Sequence, residues 1–234
     1  MTSASPLYRG YRYPADIIAQ AVRLSYRFPL SYRGVEELLF ERGVVVSYET
    51  IRAWCLTFGP LIAADLKRRR PQPTGKWHLD EMYMKMNGKT YYLWRAVDAE
   101  GMVLDILVQE RRNQEAAEVF LRRVVDAYPE APRVTVTDKL ASYGPAIKKI
   151  LPHTDHRRHK GLNNRAENSQ QPTRQRERAM RHFKSPQQAQ RFLDPFEPIR
   201  EHFCLGRHRL SAAQHRTVLS QRCVTWREIT GTAA

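Results

Sequence analysis

Asn87-Gly88 stands between two runs, KWHLDEMYMKM and KTYYLWRAVD, and that placement constrains the fold more than any other feature of the chain. An Asn-Gly pair supplies the two positive-φ positions of the tight turn whose twist matches paired strands. Strands are therefore predicted over 77–86 and 90–98, joined as an antiparallel hairpin. Asp98 to Gly101 turns the chain again, and MVLDILV (102–108) makes a third strand. The period then changes. QEAAEVFLRRVVDA (114–127) spaces its apolar residues as an amphipathic helix. Pro132 precedes a strand over 133–137, a helix follows at about 141–150, and 153–158 reads as a short fifth strand. Three hairpin-joined strands followed by alternating helix and strand predict an α/β domain with a mixed sheet flanked by helices.

A helical segment precedes this core. Ile17, Ile18, Ala21, Val22 and Leu24 mark a helix over 15–28 that Pro29 stops. Val35, Leu38 and Leu39 mark a second, closed by Gly43 as a left-handed cap. Ser47 is placed to N-cap a third, with Ile51, Trp54 and Cys55 inward. Helix, short turn, helix is the helix-turn-helix pattern, and its second helix would present Tyr48, Glu49 and Arg52 to DNA. The organisation expected is a helix-turn-helix domain over 1–66, a basic linker over 67–76, a core over 77–192 and a helical tail over 193–234. Pro172, Pro186, Pro195 and Pro198 break or kink the later helices.

Charge says what kind of partner to expect. The chain carries 39 Lys and Arg against 24 Asp and Glu, for a net charge of +15. Residues 1–70 hold 11 basic and 6 acidic side chains, 71–151 hold 12 and 11, and 152–234 hold 16 and 7. The flanks are thus the basic parts and the nearly neutral middle is the expected catalytic core. A polyanion is the implied partner. Lys67, Arg68, Arg69 and Arg70, followed by two prolines and a glycine, read as a hinge that also touches phosphates. Lys139, beside Asp138, is counted with the DNA contacts. The three cysteines have no metal-ligand spacing, so neither a disulfide framework nor structural zinc is expected. No apolar run approaches the ~20 residues of a membrane span, and no signal peptide opens the chain. A cytoplasmic, nucleoid-associated protein is expected.

Three acids stand apart in this basic chain: Asp80 in the first strand, Asp138 at the carboxyl end of the fourth, and Glu167 in NNRAENSQQPTR. Side-chain alternation puts Asp80 on one face with His78, Met82, Met84 and Met86 and turns Glu81 to the other. The first and fourth strands can lie side by side, so that Asp80 and Asp138 converge and a later helix brings Glu167 over them. Carboxylate oxygens suit Mg²⁺ or Mn²⁺, and two such ions would serve phosphodiester chemistry. Arg174, Arg178 and Arg181 recur at helical spacing after Glu167 and could line a DNA channel; a solvated charged face is the alternative, because Arg176 breaks the one-sidedness. HTDHRRHKG (153–161) reads as a basic edge near DNA, not as a histidine metal site. Trp77 and Trp94 are expected in the core.

The strings VSYETIRAW, WHLDEMYMKMNGKTYYLWRAVDAEG, TVTDKLASYGPAI and the segment from NNRAEN to FKS occur in an order that resembles a known family. Over about 31–192 the chain resembles the DDE transposases of bacterial insertion sequences, closest to the insertion-sequence-six group. The resemblance implies an RNase H-like, integrase-like core in which Asp80, Asp138 and Glu167 form the metal-binding triad. Arg174, two turns after Glu167, matches the family's basic residue. It further implies binding to inverted terminal repeats, 3′-end cleavage by water, strand transfer into target DNA with a cointegrate product, and at least a dimer to pair two ends. A non-catalytic helix-turn-helix regulator and an RNase H-like nuclease are the competing classes.

Overall fold

The structure is a computed structural model that describes residues 6–73, 75–159, 163–204 and 210–232. Residues 1–5 of the anticipated N-terminal segment, Thr74 of the linker, Lys160 and Gly161 of the basic edge, Leu162, and 205–209 and 233–234 of the tail lie outside the described residues. The chain divides into two compact units, one of residues 1–70 with 194–234 and the other of 71–193.

In the first unit, α1 (Ala15–Arg27), α2 (Tyr32–Phe40) and α3 (Tyr48–Arg68) follow the apolar spacing of the sequence. Ile18, Val22, Val35, Leu39, Ile51, Trp54 and Phe58 are buried together. The turn between α2 and α3 forms as its residues dictate. Gly43 adopts φ +74, and the Ser47 side chain accepts from the Thr50 backbone N–H to cap α3. α3 runs through Arg68, so the first residues assigned to a linker close a helix instead. α7 (Pro186–Phe203) ends in this unit, and α8 (Ala212–Ile229) packs against α3. Phe203 and Trp226 meet with ring centroids 5.4 Å apart, and the Arg23 guanidinium lies 4.6 Å from the Phe203 ring.

The second unit holds a five-stranded sheet in the order β3-β2-β1-β4-β5. Its strands are β1 (Lys76–Met86), β2 (Lys89–Asp98), β3 (Val103–Gln109), β4 (Val134–Thr137) and β5 (Asp155–Arg158). β1, β2 and β3 pair antiparallel, whereas β4 pairs parallel to β1 and β5 parallel to β4. The hairpin turn has φ 49 at Asn87 and 79 at Gly88, both positive as its type requires. Asp98 Oδ1 accepts from the Glu100 and Met102 N–H groups and folds the next turn.

β1 is central and covered on both faces, which is why residues 77–82 are buried without interruption. On one face Trp77, Leu79 and Trp94 pack with Phe120, Leu121 and Val124 of α4 (Gln114–Ala127) and Tyr143, Ala146 and Ile147 of α5 (Tyr143–Ile150). On the other lies α6 (Asn164–Ala179), which contacts β1 and β2. This mixed sheet flanked by helices, with helices N-terminal to it, is the α/β architecture that the residue pattern predicts.

Candidate metal centre

The parallel pairing of β1 with β4 brings the first two acids together. His78 is opposite Val136, so counting on two residues along each strand sets Asp80 beside Asp138. The pairing itself stops at His78 and Val136, because β4 ends at Thr137 while β1 continues to Met86. One edge of β1 is therefore open from Asp80 onward, and side chains from both of its faces can meet around that edge.

Glu81 does so. One carboxylate oxygen from each of Asp80, Glu81 and Asp138 lies within 4.8 Å of the others. The alternation argument, which turned Glu81 away from the site, is thereby corrected: opposite faces exclude each other only where a neighbouring strand separates them. Glu167 occupies the first turn of α6 and lines the same open cleft as Asp80, Glu81, Asn168, Gln170 and Arg174. It does not belong to the compact set of three.

The electrostatics are those of a cluster short of positive charge. Asp80 is pushed up to about 7, first by burial and then by the charge of Glu81, with smaller contributions from Asp138 and Glu167. Glu81 is raised by burial and by Asp138, against the opposing pull of Arg112. The Tyr143 phenol, wholly buried, is held well above its usual value by burial and then by the Glu81, Asp80 and Asp138 carboxylates. Gln170 Nε2 donates to Asp80 Oδ2 at 2.5 Å and orients it from α6. On the backbone side, Asp138 Oδ1 accepts from the Leu140 N–H at 2.9 Å. Asn163 Nδ2 donates to the Leu79 carbonyl at 2.8 Å and ties the start of α6 to β1.

Carboxylate oxygens, buried at Asp80 and Glu81 and partly exposed at Asp138, without nitrogen or sulfur donors fit a hard divalent cation such as Mg²⁺ or Mn²⁺, whose charge would oppose these upward shifts. Arg112, Tyr143 and Gln170 have no signal in the sequence, because each reaches the site by packing from a segment far from β1 in the chain; Glu81 is visible beside Asp80, but alternation assigns it to the other face.

The expected DNA contacts separate into groups. Arg52 is exposed on the first turns of α3, and Tyr48 is half-buried under the Arg33 guanidinium, 4.8 Å from its ring centroid. Lys139, Arg174, Arg178 and Arg181 are exposed. Arg176 is buried with its guanidinium 5.2 Å from the Phe192 ring centroid, so the residue that broke the one-sided pattern faces inward. Lys67 is half-buried, and Arg68 pairs with Asp65 at 2.6 Å. Arg69 pairs with Glu228 at 3.2 Å. Arg70 is bound to Glu201 at 2.8 Å with its side chain only 11 % exposed, which places it inside the helical unit instead of on a DNA-facing hinge.

A parallel-paired acid cluster at the edge of a mixed sheet defines a candidate cation-dependent α/β domain. The DDE domain model matches residues 74–204, more than half of the sequence, and the chain belongs to the DDE domain family. It is 35% identical over 144 residues to the transposase for insertion sequence-like element IS431mec of Staphylococcus aureus, covering 62% of this chain and 64% of that one. It is 34% identical, with the same coverage, to the transposase for insertion sequence element IS257 in transposon Tn4003 of Staphylococcus aureus. The chain thus spans about 64% of the length of these curated relatives. Among solved structures, the catalytic domain of Mos1 transposase matches with a TM-score of 0.44 at 14% identity, over 76% of this chain and 94% of that one. The HTLV-2 integrase catalytic core matches with a TM-score of 0.35 at 17% identity, over 43% and 69%. Among the described residues, no helix is long and apolar enough to cross a membrane.

Proposed function

We propose that this chain is a DNA transposase that binds the inverted terminal repeats of an insertion sequence, cleaves their 3′ ends and joins them to target DNA. The observation that carries the reading is the convergence of Asp80 and Asp138 at the open edge of β1, with Glu167 lining the same cleft. Membership of the DDE domain family and the likeness to two insertion-sequence transposases support it.

Asp80, Asp138 and Glu167 would hold two Mg²⁺ or Mn²⁺ ions. When bound, such ions lower the pKa of a coordinated water and stabilise the leaving oxygen of a phosphodiester. The chain's own residues do the rest. Gln170 fixes the direction of the Asp80 carboxylate, and the Leu140 N–H fixes that of Asp138. Arg174, on the same cleft, neutralises a DNA phosphate. In the first reaction a water oxygen replaces the 3′ oxygen on phosphorus, leaving a 3′-OH and a 5′-phosphate. In the second, that 3′-OH replaces the 3′ oxygen of a target phosphodiester. One P–O bond forms and one breaks each time, with the nucleophile's proton passing to solvent and no covalent enzyme intermediate.

The α2–α3 pair reads the terminal repeats, with Tyr48 and Arg52 at the start of the recognition helix. The partners are double-stranded DNA and a second copy of the chain, because two ends must be paired. A cytoplasmic, nucleoid-associated location follows.

The test is incubation of purified protein with a labelled element-end duplex and a target plasmid, with Mg²⁺ or Mn²⁺, beside Asp138→Ala. Metal-dependent joining that the substitution abolishes while end binding survives supports the proposal. End binding without cleavage or joining would point to a regulator, and cleavage without joining to a nuclease.

A further inference from the structure

Four acidic side chains, Asp80, Glu81, Asp138 and Glu167, line or approach one cleft, whereas the proposed metal set needs only three. One cation of the chain already stands among them. Arg112 lies in the loop between β3 and α4, immediately before Asn113, whose side chain caps α4 by accepting from the Ala116 N–H. A positive charge at a helix N-terminus gains nothing from the helix dipole, so α4 does not explain this arginine.

Its contacts do. Arg112 Nε donates to Glu81 Oε1 at 2.7 Å, and Nη2 forms a close ion pair with the same carboxylate. Nη1 donates to the Tyr83 hydroxyl at 2.8 Å, with the guanidinium 5.6 Å from the Tyr83 ring centroid. Toward Asp138 the contact is looser, Nη2 to Oδ2 at 3.8 Å. The Glu81 side chain is only 2 % exposed, two nitrogens of one planar group converge on its Oε1, and its Oε2 is buried without a hydrogen-bond partner. Two charge-assisted contacts to one buried oxygen outlast the longer contact to Asp138, which is coulombic and without a hydrogen bond.

We propose that Arg112 is a positioning residue that withholds Glu81 from the metal and leaves Asp80 and Asp138 to bind it. This rests on the cation reading of the site given above. When a divalent ion enters, Arg112 gives up its loose contact with Asp138 and keeps its pair on Glu81 Oε1. The fourth carboxylate then balances the arginine and does not coordinate the ion. The chain thereby limits both the number of carboxylates around the ion and the charge the ion must share.

The experiment counts bound Mn²⁺ by electron paramagnetic resonance for wild type, Glu81→Gln, Arg112→Gln and the double variant, with no DNA present. Arg112→Gln is expected to bind Mn²⁺ more tightly, by roughly three- to tenfold, the scale of one charge contact at a partly exposed site. Glu81→Gln should stay near wild type, and adding Glu81→Gln to Arg112→Gln should remove the gain. A loss of Mn²⁺ binding in Glu81→Gln, or no gain in Arg112→Gln, overturns the proposal. Absence of binding in all four proteins overturns it together with the metal reading, whereas wild-type binding without the expected pattern overturns it alone. A second measurement needs no variant. In wild type, the Arg112 Nε–H resonance should persist on adding Mg²⁺, and its disappearance would show that the pair with Glu81 opens and would overturn the proposal.

Discussion

Arg95 donates through Nη2 to the Thr173 hydroxyl at 2.6 Å, and this bond joins the strand beside Asp80 to the helix that carries Glu167. Nη1 of the same guanidinium donates to the Ser169 carbonyl at 3.0 Å. Arg95 is fully buried and opposite Asp80 in the β1–β2 register. Pro172 lies between its two partners and removes a backbone donor from α6, so the helix is weakest where Arg95 grips it. Thr173→Val should therefore cost about 1.5–3 kcal/mol, the usual consequence of losing a bond to a charged group, and urea unfolding would measure it. A change below about 0.5 kcal/mol would show that the bond does not matter to stability.

Asp138→Asn keeps the size of the side chain and its bond to the Leu140 N–H while removing the charge. Mn²⁺ affinity should fall at least about a hundredfold, since even the partners of metal ligands cost ten- to a hundredfold when removed. Element-end binding should stay within a factor of about two, because the residues proposed to read DNA, Tyr48 and Arg52, belong to the other compact unit of the chain. Calorimetry with Mn²⁺ and a gel-shift assay would check the two halves separately. Equal loss of both would mean that the substitution disturbs the fold.

The pH dependence of metal-free protein follows from Asp80. Its folded value of about 7 lies above the ordinary 3.8, raised first by burial and then by Glu81. A group raised in the folded state contributes stability fully below its ordinary value and loses it as pH climbs through the folded one. In EDTA, Asp80→Asn should therefore match wild type in Tm near pH 4, gain on it between about 4 and 7, and level off above. Saturating Mg²⁺ should shrink the gap by favouring the charged wild-type carboxylate. A difference independent of pH over that range would show that Asp80 is not raised.

Two arginines that a charge count treats alike should behave differently. Arg52→Ala, on an exposed face of α3, should weaken terminal-repeat binding by about 1–3 kcal/mol and leave Tm unchanged. Arg70→Gln leaves the Glu201 carboxylate without its 2.8 Å partner, so it should lower Tm. Its effect on DNA affinity should be small, and fluorescence anisotropy at two salt concentrations would separate a DNA contact from a structural one.

Much of this protein is legible in its residues because the deciding physics is local. Asn87 and Gly88 set their hairpin through their own backbone preferences, and Ser47 caps α3 from three residues away. The convergence of Asp80 and Asp138 was also legible, since strand order and register alone place two strand positions side by side. The grouping of Glu81 with them was not, because it depends on β4 stopping at Thr137 and leaving an edge of β1 open. Arg112 reaches Glu81 across 31 positions, Arg95 reaches Thr173 across 78, and Arg70 reaches Glu201 across 131. Sequence periodicity tells a helix or strand which face to bury. Which distant charge meets which is settled only when the elements pack, because a buried ion must find whatever partner the tertiary structure brings within a few ångströms.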